Sequence, residues 1–217
     1  NWHMEDGLPD ATVTALVQPR EGYLWVGTAR GLVRFDGVQF KTFGAGPATG
    51  LMEAHIGALM VDRKGVLWVA GISGSLARYE QGRFHNVSPA RDGAGGAGFV
   101  KYDAGGAEPS TRWMWGRVSE LAEDAEQAVW SVGADHGLLR WHDGEINVFT
   151  ATNGLPAGEI DALCGDAAGN LWLAAGHMLY CRRDGRWGAP SGVDPAGPLQ
   201  RLAPARAGGV WVAAPRG

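Results

Sequence analysis

A repeated pattern of roughly 40 residues constrains the fold of this chain more than any other feature. An apolar residue followed by tryptophan occurs five times, at Trp25, Trp68, Trp130, Trp172 and Trp211. A leucine stands nine residues before each of these tryptophans, at Leu16, Leu59, Leu121, Leu163 and Leu202. Five identical offsets indicate a repeated structural unit, because unrelated segments would not keep the same spacing.

Each repeat predicts four short antiparallel strands. The tryptophan strand is followed by a third run such as Gly31–Phe35, by a turn such as Asp36-Gly37 or Asp143-Gly144, and by a fourth run such as Glu145–Phe149. Asp-Gly is a strong hairpin signal, because glycine accepts the positive φ of a primed turn. Four strands in roughly 40 residues are typical of one blade of a β-propeller. We therefore predict an all-β fold, a β-propeller of four-stranded antiparallel blades.

The spacing divides the chain into five units and one insertion. The predicted units cover residues 8–48, 51–88, 117–150, 155–188 and 199–217, and the insertion covers residues 89–116. The fifth unit stops after two strands, so we predict four complete blades and a truncated fifth, a fragment of a larger, seven-bladed propeller. The repeated tryptophans are expected to pack between blades, because one blade cannot bury both faces of its sheet alone.

Composition excludes several classes of protein. The net charge is −4 and Lys and Arg form no block, which argues against a nucleic-acid partner. No apolar run approaches the ~18 residues of a membrane span, so we expect no membrane contact by this segment. Cys164 and Cys181 are predicted on the first and third strands of one blade, about 9.6 Å apart. A disulfide needs Cα atoms within roughly 7 Å, so we expect free thiols.

The motifs around the first tryptophan resemble a known family, the two-component regulator propeller repeat. The resemblance rests on Glu5–Pro9, Val13–Leu16, Gly22–Thr28 and Gly31–Gly37, and again on Asn153–Pro156 through Trp172. It covers the chain except residues 90–116. It implies the periplasmic sensor region of a bacterial signalling protein, of a kind that precedes a membrane span and a histidine kinase or a diguanylate cyclase.

Strand order predicts which loops share a face of the propeller. The links from second to third strands emerge on the same face as the links between blades, and we call this the link face. The turns from first to second and from third to fourth strands emerge on the opposite face, the turn face. The irregular loops and the insertion fall on the link face, and binding residues commonly lie on such loops.

We therefore place the candidate ligand-binding residues on the link face. The insertion combines aromatic and charged side chains that could stack on a sugar or hold an anion. Two other readings of it stay open: Trp113 and Trp115 pack against the next blade, or residues 90–107 are disordered. The candidate residues are Arg30, Tyr102, Arg112, Trp113, Trp115, Asp135, His136 and His177.

Three functions are compatible with these features. The first is a non-catalytic, periplasmic sensor module, without metal or cofactor, that binds a small molecule such as a glycan. Its other expected partners are the remaining blades and output domains of a longer protein, and a second copy in a homodimer. The alternative is a metal-dependent lyase of the streptogramin-lyase-like type, in which His136 or His177 would have to be the catalytic histidine. The third is a structural or dimerisation propeller.

Overall fold

The computed structural model describes residues 4–87, 118, 120–133, 137–191 and 199–213. Within these ranges the chain forms β-strands and two short 3-10 turns, Met4–Asp6 and Ala151–Asn153, and no α-helix. In the same part of the chain, no helix is long and apolar enough to cross a membrane. The chain divides into two compact units, residues 1–119 and 120–217. The predicted insertion at residues 89–116 lies outside the described residues.

The first unit contains two four-stranded blades. The first blade consists of β1 (Val13–Val17), β2 (Leu24–Thr28), β3 (Gly31–Phe35) and β4 (Phe40–Phe43). The second blade consists of β5 (Ile56–Val61), β6 (Leu67–Gly71), β7 (Leu76–Glu80) and β8 (Arg83–Asn86). In both blades each strand pairs antiparallel with the next one along the chain.

The second unit contains two further blades and a two-stranded sheet. The third blade consists of β9 (Leu121–Glu123), β10 (Val129–Val132), β11 (Leu138–His142) and β12 (Glu145–Phe149). The fourth blade consists of β13 (Ile160–Gly165), β14 (Leu171–Ala175), β15 (Met178–Arg183) and β16 (Arg186–Gly188). The fifth sheet pairs β17 (Arg201–Pro204) with β18 (Val210–Ala213).

The repeat register predicted from the tryptophans is confirmed. Each of the five tryptophans is the second residue of the second strand of its sheet. The residue directly after each repeated leucine lies opposite the tryptophan on the first strand. The five pairs are Val17 with Trp25, Met60 with Trp68, Ala122 with Trp130, Cys164 with Trp172, and Ala203 with Trp211.

Tryptophans fill the space between neighbouring blades. Trp25, for example, is 3% exposed, and its ring centroid lies 5.3 Å from Phe43 of its own blade. The same ring lies 5.0 Å from Tyr79 and 6.1 Å from Phe84, both of the second blade. Trp68, Trp130 and Trp172 are likewise at most 8% exposed, whereas Trp211 is 72% exposed. Core packing is thus confirmed for the first four.

The hairpins between third and fourth strands have the predicted turn chemistry. In the second, third and fourth blades the two loop residues both have positive φ: Gln81-Gly82, Asp143-Gly144 and Asp184-Gly185. Two successive positive φ values define the type I′ turn, whose twist matches that of antiparallel strands. Asp36-Gly37 departs from this pattern, because only Gly37 has positive φ and the Asp36 carboxylate instead accepts the backbone N–H of Val38 and Gln39.

The first strand carries a β-bulge in three of the blades. The pairing with the second strand skips one residue, which is Thr14 in β1, Gly57 in β5 and Asp161 in β13. A bulge leaves its extra residue without a cross-strand partner and bends the strand locally. At position 57 the extra residue must be small, because a Cβ there would lie 2.1 Å from the carbonyl oxygen of Val118.

A turn aspartate locks three of the buried tryptophans in place. The indole N–H of Trp68 donates to Asp62 Oδ2 at 2.9 Å, that of Trp130 to Asp124 Oδ2 at 2.7 Å, and that of Trp172 to Asp166 Oδ2 at 2.9 Å. The other oxygen, Oδ1, accepts a backbone N–H four residues further on, within the same turn. One side chain thus fixes the turn and satisfies a donor that burial removes from water.

The two cysteines are free and buried, as predicted. Both lie opposite Trp172 of β14, one from β13 and the other from β15, so a whole strand separates them. Burial, with smaller effects of the Glu120 and Asp166 carboxylates, raises the pKa of Cys164 to about 11. Burial also raises the pKa of Cys181. Both groups are therefore neutral thiols at neutral pH.

We expect both thiols to be unreactive in the folded protein, because only the thiolate is nucleophilic and burial blocks access to it. Incubation with iodoacetamide at about pH 7.5 should add no label to the folded chain and two labels to the chain unfolded in guanidinium, without prior reduction. Intact-mass spectrometry measures both numbers. Rapid labelling of either cysteine in the folded chain would contradict the strand assignment of the fourth blade.

Asp166 is expected to make stability depend on acid pH. Burial alone would raise its pKa, but hydrogen bonds from Asn170, Trp172 and Gly209 hold the pKa below its usual value. A lowered folded-state pKa gives stability that is complete above the unfolded-state value of 3.8 and is lost as the pH falls through the folded-state value. The loss of stability caused by Asp166→Asn should therefore be full at about pH 6 and shrink as the pH falls below about 4.

Urea unfolding across this pH range measures the effect, with Asp143→Asn as the matched control. Asp143 is exposed and sits at positive φ, which asparagine also tolerates. If the two variants showed the same pH profile, the Asp166 hydrogen bonds would not be the source of the dependence.

Candidate functional site

Arg30 lies where the sequence placed it, in the β2–β3 link of the first blade. Its side chain is 74% exposed, and its Nε lies 3.3 Å from Oδ2 of Asp10, which precedes β1. Asp10 also accepts the backbone N–H of Thr12 at 2.7 Å, and these bonds hold its pKa below the usual value. The Arg30 guanidinium is therefore positioned by the ion pair of its Nε atom with Asp10, while most of the side chain is exposed to solvent.

His177 lies in the corresponding β14–β15 link of the fourth blade. It is exposed and adopts a positive φ of 68°, directly after Gly176 at 55°. Gly176 is confined by the preceding segment, since its Cβ would lie 3.2 Å from the carbonyl oxygen of Ala157. Arg30 and His177 thus occupy equivalent links, in different units of the chain.

Glu53 is a link-face residue that the sequence analysis missed. Its carboxylate accepts the backbone N–H of Ser73 at 3.0 Å and of Ser75 at 3.1 Å, and the Ser75 hydroxyl donates to it as well. Burial opposes ionisation, but these bonds hold the pKa of Glu53 below its usual value. The signal was present in the sequence, because Glu53 follows Leu51 by two residues, as Asp10 follows Leu8.

A backbone hydrogen bond secures the same link in three blades. The N–H of Ala29, Ile72 and Gly176 donates to the carbonyl of the segment that enters the blade, at Thr12, His55 and Glu159 respectively. The distances are 3.3, 2.9 and 3.0 Å. The second-to-third-strand links are therefore anchored from the preceding segment, and their exposed side chains project from a fixed backbone.

The other candidate residues lie outside the described part of the chain. They are Tyr102, Arg112, Trp113, Trp115, Asp135 and His136. The common opening of these side chains on the link face therefore stays a prediction. Among the described residues, no group of three or more His, Cys, Asp or Glu side chains is arranged to hold a metal ion.

Two clefts lie on the turn face, where the sequence analysis placed no site. The first, of about 290 Å³, lies between the first two blades and is lined by residues that include Glu21, Tyr23, Trp25, Arg34 and Tyr79. The second, of about 250 Å³, lies between the third and fourth blades and includes Asp124, Glu126, Asn170 and Arg182 in its lining. Each cleft lies within one unit of the chain, the first cleft in residues 1–119 and the second in residues 120–217.

An ionic cluster lies at the second cleft. Asp124, whose side chain is 4% exposed, lies 3.6 Å from Arg140 Nε and 3.8 Å from Arg182 Nη1. Glu126 pairs with Arg140 Nη2, and Arg182 stacks 4.9 Å from the ring centroid of Trp130. Two carboxylates of the chain therefore neutralise two guanidinium groups by charge, although Arg140 Nε and Arg182 Nε donate no hydrogen bond to any of the described residues.

Comparison with known proteins shows similarity only at the level of structure. No protein-family model and no curated protein sequence matches the chain. The extracellular domain assigned to a hybrid two-component system of B. thetaiotaomicron is 17% identical, with a TM-score of 0.70 over 98% of this chain. A second such domain from the same organism is 17% identical, with a TM-score of 0.64 over 94% of this chain.

The fold is a β-propeller. This confirms the predicted fold class, because the four-stranded sheets of the chain match the solved domains over nearly the whole chain. These domains are assigned to two-component systems, the kind of protein that the sequence resemblance indicated. The chain spans 28% and 26% of the length of the two solved chains. A catalytically inactive virginiamycin B lyase from Staphylococcus aureus, solved with quinupristin, is also similar: 11% identical, with a TM-score of 0.54 over 93% of this chain and 77% of that one.

Removal of the central carboxylate of the ionic cluster should strongly destabilise the second unit. Asp124→Ala leaves Arg140 and Arg182 without their shared partner and Trp130 without its acceptor, and breaking a buried pair from one side costs about 3–5 kcal/mol. Equilibrium unfolding in urea measures the loss. Glu145→Ala, at an exposed position of the same blade, should change stability by at most about 0.5 kcal/mol. A small effect of Asp124→Ala would show that the cluster does not hold the blades together.

Proposed function

We propose that this chain is part of an extracytoplasmic sensor module of a bacterial signal-transduction protein. The observation that carries the proposal is its structural likeness to the two extracellular domains of hybrid two-component systems, over nearly its whole length. The Gly-Leu-Pro and Asp-Gly motifs of the first repeat support the same assignment. On this proposal the module is periplasmic, and a kinase or cyclase output domain belongs to the longer protein.

The proposed activity is binding rather than catalysis. The anchored links support it, because a side chain such as Arg30 projects from a backbone fixed at both ends and can meet a ligand without first being ordered. The ligand class we propose is a small polar molecule such as a glycan, bound on the link face. Further blades, output domains and a second copy of the chain are its proposed macromolecular partners.

The lyase is the weaker candidate. The virginiamycin B lyase structure matches with a lower TM-score than the two-component domains do. A lyase would need His136 or His177 as its catalytic histidine. His177 is exposed in the β14–β15 hairpin, and His136 lies outside the described residues. A sensor module therefore accounts for more of the observations than a lyase does.

A thermal-shift screen of the purified chain against a panel of oligosaccharides tests the proposal. A ligand present at about 100 times its Kd stabilises the folded state by about 2.7 kcal/mol. For a chain of this size that corresponds to a rise of roughly 5–10 °C in the unfolding midpoint. We expect at least one member of the panel to produce a saturable rise of this order.

The variant Arg30→Ala should weaken the response at least about tenfold in ligand concentration, because it removes a charged donor from the proposed site. Arg206→Ala is the matched control, since Arg206 is an exposed arginine of the turn between β17 and β18. In parallel, the chain is incubated with quinupristin with and without a chelator. Turnover of quinupristin that stops on chelation, or equal loss of the sugar response in both variants, would overturn the proposal.

A further inference from the structure

The first blade lacks the turn carboxylate that the next three blades possess. Six residues before the tryptophan, the second, third and fourth blades carry Asp62, Asp124 and Asp166, and the first blade carries Pro19. One backbone hydrogen bond of the turn is kept, because the N–H of Gly22 still donates to the carbonyl of Pro19 at 3.1 Å. Proline, however, has no backbone N–H to donate, as the three aspartates do. Proline also supplies no side-chain acceptor, so the turn loses its negative charge.

Two strong donors at this place have no acceptor among the described residues. The indole N–H of Trp25 has no described hydrogen-bond acceptor, although the ring is 3% exposed. The guanidinium of Arg34 lies 4.3 Å from the ring centroid of Tyr23, and no carboxylate of the described residues lies within 4.0 Å of it. Stacking on a ring engages the face of a guanidinium and leaves its N–H groups, which lie in the plane, available. Both groups line the first cleft.

In the third blade a carboxylate lies beside such a tryptophan and arginine, accepting a hydrogen bond from the first and forming an ion pair with the second. Trp25 lies directly opposite Arg34 in the first blade, as Trp130 lies opposite Arg140 in the third. In the third blade the Asp124 carboxylate accepts the indole N–H at 2.7 Å and lies 3.6 Å from Arg140 Nε. The chain thus contains an internal template, one carboxylate held between a tryptophan and an arginine.

We propose that the first cleft binds the carboxylate of a small monocarboxylate ligand, which takes the place of the missing turn aspartate. The ligand carboxylate accepts the Trp25 indole N–H and pairs with the Arg34 guanidinium. The cleft of about 290 Å³ has room for a small body beyond the carboxylate. Tyr23 and Tyr79 supply aromatic walls, so a flat apolar body fits best.

The charge of the rim favours a single negative charge on the ligand. Glu21 is exposed at the cleft and adds a negative charge near its opening, which disfavours phosphates and dicarboxylates. Tyr79 occupies the strand position that Arg182 occupies in the fourth blade, opposite the residue before the tryptophan. The first cleft therefore has one guanidinium where the second has two, and one carboxylate is its complement. The site is on the turn face and does not depend on the sensor function proposed above.

Benzoate is the probe, and its uncharged isostere benzamide is the control ligand. The full chain is labelled with ¹⁵N, and the indole N–H resonance of Trp25 is assigned by its loss in Trp25→Phe. We expect benzoate to shift this resonance saturably and benzamide not to shift it. Arg34→Met should weaken benzoate binding at least tenfold, and Arg20→Gln, an exposed arginine of the same turn that does not line the cleft, should leave it unchanged.

The variant Pro19→Asp gives the sharpest arm of the test. It restores the aspartate of the other blades, so the internal carboxylate should occupy the two donors, abolish benzoate binding and raise the unfolding midpoint. The higher midpoint also shows that the loss of binding is not a loss of folding. Absence of a saturable Trp25 shift with benzoate, an equal shift with benzamide, or full binding in Pro19→Asp would each overturn the proposal.

Discussion

The hydrogen bond between a buried indole and a turn carboxylate is the interaction on which the second, third and fourth blades depend. A tryptophan ring is large enough to fill the space between two sheets, but its N–H must find an acceptor once water is excluded. Asp62, Asp124 and Asp166 provide that acceptor and at the same time close the first turn of the blade. Side-chain packing, turn geometry and strand register are therefore fixed together by one residue.

The first blade and the fifth sheet lack this carboxylate. In the fifth sheet the equivalent residue is Ala205, and Trp211 is 72% exposed. In the first blade the equivalent residue is Pro19, yet Trp25 is buried. Trp25 lines the first cleft, and its indole N–H has no acceptor among the described residues.

The fold could be predicted from the sequence because its strongest signals are local and repeated. The leucine-to-tryptophan offset set the pairing register, and Asp143-Gly144 and Asp184-Gly185 marked the hairpins, each through backbone preferences that act within a few residues. The turn aspartates Asp62, Asp124 and Asp166 have the same regular spacing, but they were assigned no role in the sequence analysis. Their bonds to the indoles were missed because the hydrogen bond joins a turn to a strand position six residues later.

The candidate site was less predictable because it depends on partners from different blades. Strand order placed Arg30 and His177 on equivalent links, but it did not show that Asp10 pairs with Arg30 or that Glu53 anchors the corresponding link of the second blade. Arg182 is an example. Arg140 lies opposite the tryptophan of its blade, whereas Arg182 is one residue further along its strand and lies opposite Leu171. That shift turns its guanidinium toward Trp130 of the neighbouring blade, and a single-blade repeat pattern carries no information on it.

The bulge in the first strand has a consequence for how such blades can diversify. Thr14 and Asp161 have no cross-strand partner, so their side chains can change without altering the pairing of the residues on either side. Position 57 lacks this freedom, because the carbonyl of Val118 occupies the space that a side chain would need. A combinatorial library built on this scaffold would therefore vary positions 14 and 161 and hold position 57 as glycine.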